Sequence, residues 1–159
     1  MIFLLSILGA LLVDIETDPA LRRRAASRRF WSILEEIAGP KQIVYVGPFQ
    51  IVGDRKGGIL AKLEVRVVVG AAGETPVVHI GYIGVNREDR QKGYGSRVLG
   101  MLTEAADRAG FAMDLEVDPQ TERGEDEPPM TETQLVGFYR KFGFESSGED
   151  PAYMVRLRR

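Results

Sequence analysis

Between residues 59 and 69 apolar and polar side chains alternate. Leu63, Val65, Val67 and Val69 fall on one face of an extended chain, with Glu64 and Arg66 on the other. This period of two predicts a strand buried on one side. Residues 42–52, β-branched and aromatic with a Gly47-Pro48 break, predict another strand, as do residues 77–85, which carry Gly81 and Gly84. The period lengthens elsewhere. In residues 18–38, Ala26, Phe30, Ile33, Leu34 and Ile37 share one helical face. Asp18 is placed to cap that helix, Pro19 to occupy its first turn and Gly39-Pro40 to end it. Residues 96–109 predict a second helix, with Val98, Leu99, Leu102, Ala105 and Ala109 on one face and Gly110 closing it. Residues 111–117 predict a strand. Thr131 and Gln134 then have capping-box spacing, and Met130 and Leu135 hydrophobic-staple spacing, for a third helix reaching about Phe142. Residues 142–146 and 153–157 predict two closing strands. The order is helix, three strands, helix, strand, helix, two strands. It describes one mixed α/β (α+β) domain over residues 1–159, a central sheet of about six or seven strands flanked by helices.

Composition narrows the chemistry. The chain has no cysteine and one histidine, which excludes disulfides, a thiol nucleophile, cysteine–zinc sites and a multi-histidine metal site within one chain. No metal is expected. The net charge of −2 provides no global field for nucleic acid or an anionic membrane, so neither partner is expected, and a cytoplasmic location is. Residues 1–13 are nearly all apolar but stop at Asp14, short of the ~20 residues that span a bilayer. A buried strand or helix is expected of them, with a tether, a targeting segment or a misassigned start as the alternatives. Arg22, Arg23, Arg24, Arg28 and Arg29 make the first helix strongly basic, either as a solvated face or as a patch for phosphate or an acidic partner. Residues 118–130 form an acidic loop carrying Asp118, Glu122, Glu125, Asp126 and Glu127.

The stretch that carries chemistry follows the strand at 77–85. Arg90, Gly93 and Gly95 spell Arg-x-x-Gly-x-Gly immediately before a helix. Glycines let backbone N–H groups converge, and a helix start adds free N–H groups and the positive end of its dipole. Such a loop suits a pyrophosphate. It is not a Walker loop, since no Gly-Lys-Ser/Thr follows, nor a dinucleotide fingerprint, since Val98 stands where the third glycine belongs.

Residues 85–95 closely resemble motif A of the GNAT superfamily of acyl-CoA-dependent N-acyltransferases, with Arg87 in place of the usual proline. Leu115-Glu116-Val117 is similar to that family's fifth strand, and residues 135–145, with Tyr139, Gly143 and Phe144, to its late helix. The resemblance covers residues 60–158 and implies the family's fold, with acetyl-CoA as cofactor and a primary amine of a small molecule, peptide or protein as acceptor. It places the coenzyme A pyrophosphate on the amides of Gln91, Lys92, Gly93, Tyr94, Gly95 and Ser96, with charge from Arg90 and Lys92. It also adds Ile83 and Val85 to the cofactor-binding set, the Val85 amide facing the acyl carbonyl. Pantetheine would lie between the strands at 77–85 and 111–117, where Gly81 and Gly84 would permit its approach. Tyr139 corresponds to the general acid; a core aromatic is its structural alternative. Glu116 and His79 are the two candidates for the base, and His79 could equally be a paired strand histidine. With no cysteine, transfer would go directly from coenzyme A to the amine in a ternary complex. The acidic loop suggests a cationic acceptor. The oligomeric state stays open, pairing through the closing strands into a homodimer being one arrangement the family uses. A GNAT-fold module that binds acyl-CoA without catalysis is the alternative function.

Overall fold

The computed structural model describes residues 18–54, 56–120, 130–148 and 150–159. The expectations placed on residues 1–13 and on Glu122, Glu125, Asp126 and Glu127 lie outside the described residues.

Helix α1 (Pro19–Ala38) starts where its cap predicts: the Asp18 carboxylate accepts from the Ala20 and Leu21 amides at 2.7 and 3.4 Å. Gly39, at φ 100°, closes it by donating to Glu35. Strands β1 (Ile43–Val46) and β2 (Phe49–Gly53) follow, then β3 (Ile59–Val68) and β4 (Val77–Gly84). The 42–52 segment is therefore two strands. Gly47, at φ +60°, and Pro48, which has no N–H for a ladder, turn it back on itself, so that Val46 pairs with Phe49 in an antiparallel hairpin. A short 3-10 turn (Arg87–Asp89) leads to α2 (Tyr94–Ala109), which starts two residues before the expected position. After β5 (Ala112–Glu116) comes α3 (Glu132–Arg140), whose Thr131–Gln134 capping box is formed in both directions. Strands β6 (Glu145–Ser147) and β7 (Asp150–Arg156) complete the chain, with residues 141–143 a turn rather than strand. Among the described residues no helix is long and apolar enough to cross a membrane.

The seven strands form one sheet in the order β1-β2-β3-β4-β5-β7-β6. Only β4 and β5 are parallel, as their connection through α2 requires. Val78 and Ile80 on β4, with Met113 and Leu115 on β5, are buried among Phe30 and Leu34 of α1 and Val98, Leu99 and Leu102 of α2. The intervening residues His79, Asp114 and Glu116 therefore stand on the opposite face. Helix α3 and the turn after it lie beside the first half of α2, with the Phe138 and Phe142 rings over Gly95 and Gly100.

Two irregularities shape the sheet. Glu64 pairs with Tyr82 but Val65 with Ile80, so Gly81 is an unmatched bulge residue. The β4–β5 ladder ends at Ile80↔Leu115 although β4 runs on to Gly84. The two parallel strands part just beyond the bulge. On the far side of β3, β2 pairs no further than Gln50↔Leu63. The buried Gln50 amide continues the ladder in place of a strand, its Oε1 accepting from the Val65 N–H at 3.1 Å and its Nε2 donating to the Pro48 carbonyl. An ion pair between a buried arginine and a half-buried aspartate ties the last strand to α2. Arg156 grips Asp107 through two 2.7 Å bonds and donates from Nε to the Phe142 carbonyl at 2.8 Å.

Candidate active site

The gap between β4 and β5 opens into a cavity of about 760 Å³, within the ~300–1,000 Å³ usual for small-molecule sites. Its walls are the second half of β4, the loop and first turn of α2, the end of β5, and α3. Of the residues expected to hold a cofactor, Ile83, Val85, Arg90, Gln91, Gly93, Tyr94, Gly95 and Ser96 all line it. Lys92 does not. Its ammonium donates to Asp89 at 2.7 Å, a bond that also raises its pKa above the usual lysine value. Lys92 thus adds charge beside the cavity rather than a contact within it.

The loop is held in an unusual backbone shape. Gln91 has φ +64° and Gly93 φ +80°. For glycine the left-handed region costs little, but for glutamine it costs roughly 1 kcal/mol or more. Left-handed residues at 91 and 93 turn successive N–H groups toward one point. Gly93 is also the N-cap of α2 and offers no side chain to satisfy the first-turn amides. The N–H groups of Tyr94, Gly95 and Ser96 thus keep their capacity for an outside acceptor. Strain, converging donors and the dipole end of a sixteen-residue helix coincide on the cavity wall, and together they fit a pyrophosphate.

The β4 glycines Gly81 and Gly84 both line the cavity. A Cβ on Gly84 would land on the Tyr82 phenol, and one on Gly81 would sit 3.4 Å from the Glu64 carboxyl carbon. The space beside Gly84 is taken by the Tyr82 side chain, whereas a Cβ at Gly81 would make only an ordinary contact. What admits a ligand between the strands is the parting of the ladder after Ile80.

The three acid–base candidates separate. Tyr139 and Glu116 both line the cavity, from α3 and from the end of β5. The Tyr139 ring packs edge-on against Phe138 and Phe144, with centroids 5.3 and 5.9 Å away, and burial pushes its pKa up to about 12. It is at once a core aromatic and a phenol that stays protonated at neutral pH. His79 lies outside the lining, on the sheet face away from α1 and α2. It sits directly opposite Asp114 in the parallel register, and its Nδ1 donates to the Asp114 carboxylate at 2.8 Å. The Tyr153 hydroxyl donates to the other carboxylate oxygen at 2.6 Å, which raises the Tyr153 pKa. Strand position alone did not show Asp114 and Tyr153 as partners; the alternation of Asp114 with Leu115 and Glu116 was the one available hint. Asp118 and Gln120, joined by a hydrogen bond, line the cavity with Met130 and Gln134. Among the described residues no group of three or more metal-ligating side chains is arranged to hold an ion.

A family model described as the acetyltransferase (GNAT) family matches residues 44–144. No curated protein matches the chain. Among solved structures, Arabidopsis thaliana Naa50 in complex with the bisubstrate analogue CoA-Ac-MVNAL is 19% identical, covering 79% of this chain and 87% of that one, with a TM-score of 0.47. Chaetomium thermophilum Naa20, in complex with a bisubstrate analogue, is 18% identical over 81% of this chain and 72% of that one, with a TM-score of 0.47. Ard1 from Thermoplasma volcanium is 15% identical over 83% and 93%, again with a TM-score of 0.47.

Proposed function

The chain belongs to the acetyltransferase (GNAT) family, and from that premise we propose that it is an N-acetyltransferase moving an acetyl group from acetyl-CoA directly to a primary amine in a ternary complex. One observation carries the reading. A strained loop of converging amides, a split between two parallel strands, a carboxylate and a buried phenol all open on one cavity.

The fit is residue by residue. The amides from Gln91 to Ser96 would hold the pyrophosphate, with Arg90 and the Asp89-bound Lys92 supplying positive charge. Ile83 lies on the stretch of β4 that has left β5 and Val85 just after it, so this stretch can present backbone groups to an inserted chain. Acetyl-CoA would supply the activated acetyl thioester. The Val85 N–H would donate to the acyl oxygen, the preorganised donor that acyl transfer needs.

Proton management falls to two side chains. An acceptor amine with pKa ~10.4 is neutral only about once in 2,500 at pH 7. Glu116 at the end of β5 would take its proton, directly or through water. Tyr139 would donate a proton to the departing thiolate. Glu116 is the better-placed base, because it lines the cavity and His79 does not. Asp118 and Glu116 on the cavity wall favour a cationic acceptor, the class also suggested by the acids at 122–127.

The test is calorimetric titration with coenzyme A, followed by thiol release from acetyl-CoA across small-molecule amines, lysine peptides and peptide N-termini. Binding with turnover on one class is the expected result. Binding without turnover on any class would convert the reading to an acyl-CoA-binding module, and no binding would overturn it.

A further inference from the structure

The arginines of α1 take no part in that chemistry, yet they line a second concavity. β3 outruns β2. Among the described residues, residues 65–69 have no neighbouring strand on that side beyond the Gln50↔Leu63 pair, and α1 lies alongside them. A groove of about 720 Å³ runs between helix and strand edge. Arg23, Ser27 and Trp31, spaced at i, i+4 and i+8, and Arg24 and Arg28, spaced at i, i+4, line its helical side. Arg24 and Arg28 are exposed. Among the described residues neither they nor Arg23 forms an ion pair, whereas Arg22 is spent on the Gly70 and Ala71 carbonyls at the groove's end.

The strand side offers hydrogen bonds. The Val65 N–H shows which way this edge faces, and Gln50 Oε1 already accepts from it. Val67, two residues on in an unbroken register with β4, presents its N–H and C=O the same way. An open strand edge recognises an extended backbone. A row of guanidiniums beside it recognises carboxylates on alternate side chains of that backbone.

The geometry points to a docking site for an extended acidic peptide of about five or six residues, added to β3 in line with β2 and gripped by Arg23, Arg24 and Arg28. The partner is a protein carrying an acidic strand-forming segment. Nucleic acid could use the arginines but has no backbone that pairs with a strand edge.

Trp31 is the chain's single tryptophan and lies in the groove, so its fluorescence reports on it. The probe is an end-blocked hexapeptide of alternating glutamate and valine, titrated into the full chain. A saturable change in Trp31 emission is expected, with affinity falling at least tenfold in an Arg24→Glu/Arg28→Glu variant and at least tenfold when alternate backbone amides of the probe are N-methylated. The N-methylated arm uses the unmodified protein and needs no variant to fold. Absence of a saturable change, equal binding of the N-methylated probe, or equal binding of a lysine–valine counterpart would overturn the proposal. A short DNA duplex that displaces the peptide with the same arginine dependence would overturn it in favour of a nucleic-acid surface.

Discussion

Tyr139→Phe removes one oxygen and no packing. The ring would keep its edge contacts with Phe138 and Phe144 at 5.3 and 5.9 Å. The stability cost is at most that of a hydrogen bond, ~1 kcal/mol, or ~2–4 °C in Tm for a chain of this size. The effect on turnover is expected to be far larger. With the phenol pKa near 12, about 10⁵ of every 10⁵ + 1 molecules carry the proton at pH 7. The group is therefore always ready to donate. Losing a positioned general acid costs ~10²–10⁴ in rate, equivalent to ~2.7–5.5 kcal/mol in the barrier. The assay is thiol release at saturating acetyl-CoA, with coenzyme A affinity measured in parallel. A fall in kcat of at least a hundredfold with unchanged affinity is expected. The high pKa adds a second requirement. Tyr139 ionises too far above neutrality to shape the profile, so variant and parent should show pH–rate curves of the same form between pH 6 and 10, differing only in height. A kcat within threefold of the parent would refute the acid role. An alkaline limb near pH 9 that disappears in the variant would refute the burial argument behind it.

Glu116→Gln should lower kcat by a hundredfold or more and leave coenzyme A affinity unchanged, whereas His79→Ala should cost less than tenfold, since only Glu116 reaches the cavity; the reverse order in a thiol-release assay would exchange their roles. Gly93→Ala meets no atom within 4 Å but forces alanine to φ +80°, at roughly 1–2 kcal/mol; calorimetry should show weaker coenzyme A binding with only a small drop in Tm. Asp107→Ala strands the Arg156 guanidinium, whose side chain is only 5% exposed, and should cost about 3 kcal/mol, read as a Tm lowered by ~6–12 °C. Hydrogen bonding to Arg156, more than any other influence, holds the Asp107 carboxyl below its ordinary pKa. Its stabilisation is therefore complete above the unfolded value of ~4 and is lost as pH falls through the lower folded value. Thermal melts from pH 7 down to pH 2 should show a steeper acid loss in the parent than in Asp107→Ala.

Local signals in the chain read correctly where the physics is local. Asp18 with Pro19, and Thr131 with Gln134, satisfy helix-start amides two or three residues away, so spacing alone locates them. The loop from Arg90 to Ser96 was legible because glycine and a helix start announce it. Within it, Gln91 gives no sign of its φ of +64°; a non-glycine residue adopts that shape only when its surroundings hold it there. The Gly47-Pro48 pair reads as a break within one strand, although a turn of two residues is enough to reverse the chain. Contacts across the sheet were out of reach. His79 meets Asp114 only because a helix of sixteen residues returns β5 alongside β4 in a particular parallel register, and Arg156 meets Asp107 across 49 positions. Neither register follows from periodicity, which settles which face a residue takes and not which residue stands opposite.

Both concavities arise where one strand outruns its neighbour in the sheet. β3 has ten residues and β2 five, so among the described residues β3's edge has no strand partner past Leu63, and α1 walls that opening with arginine. β4 has eight residues, but only its first four pair with β5, and the Gly81 bulge turns the remainder aside. A sheet of matched strands would close both gaps with backbone hydrogen bonds and leave no place for a ligand chain. Lengthening β2 by replacing the Gly47-Pro48 turn would therefore be expected to seal the arginine groove while leaving the β4–β5 cavity intact. The two sites lie on adjacent strands, β3 and β4, and each depends on the outer neighbour of its own strand falling short, β2 in one case and β5 in the other.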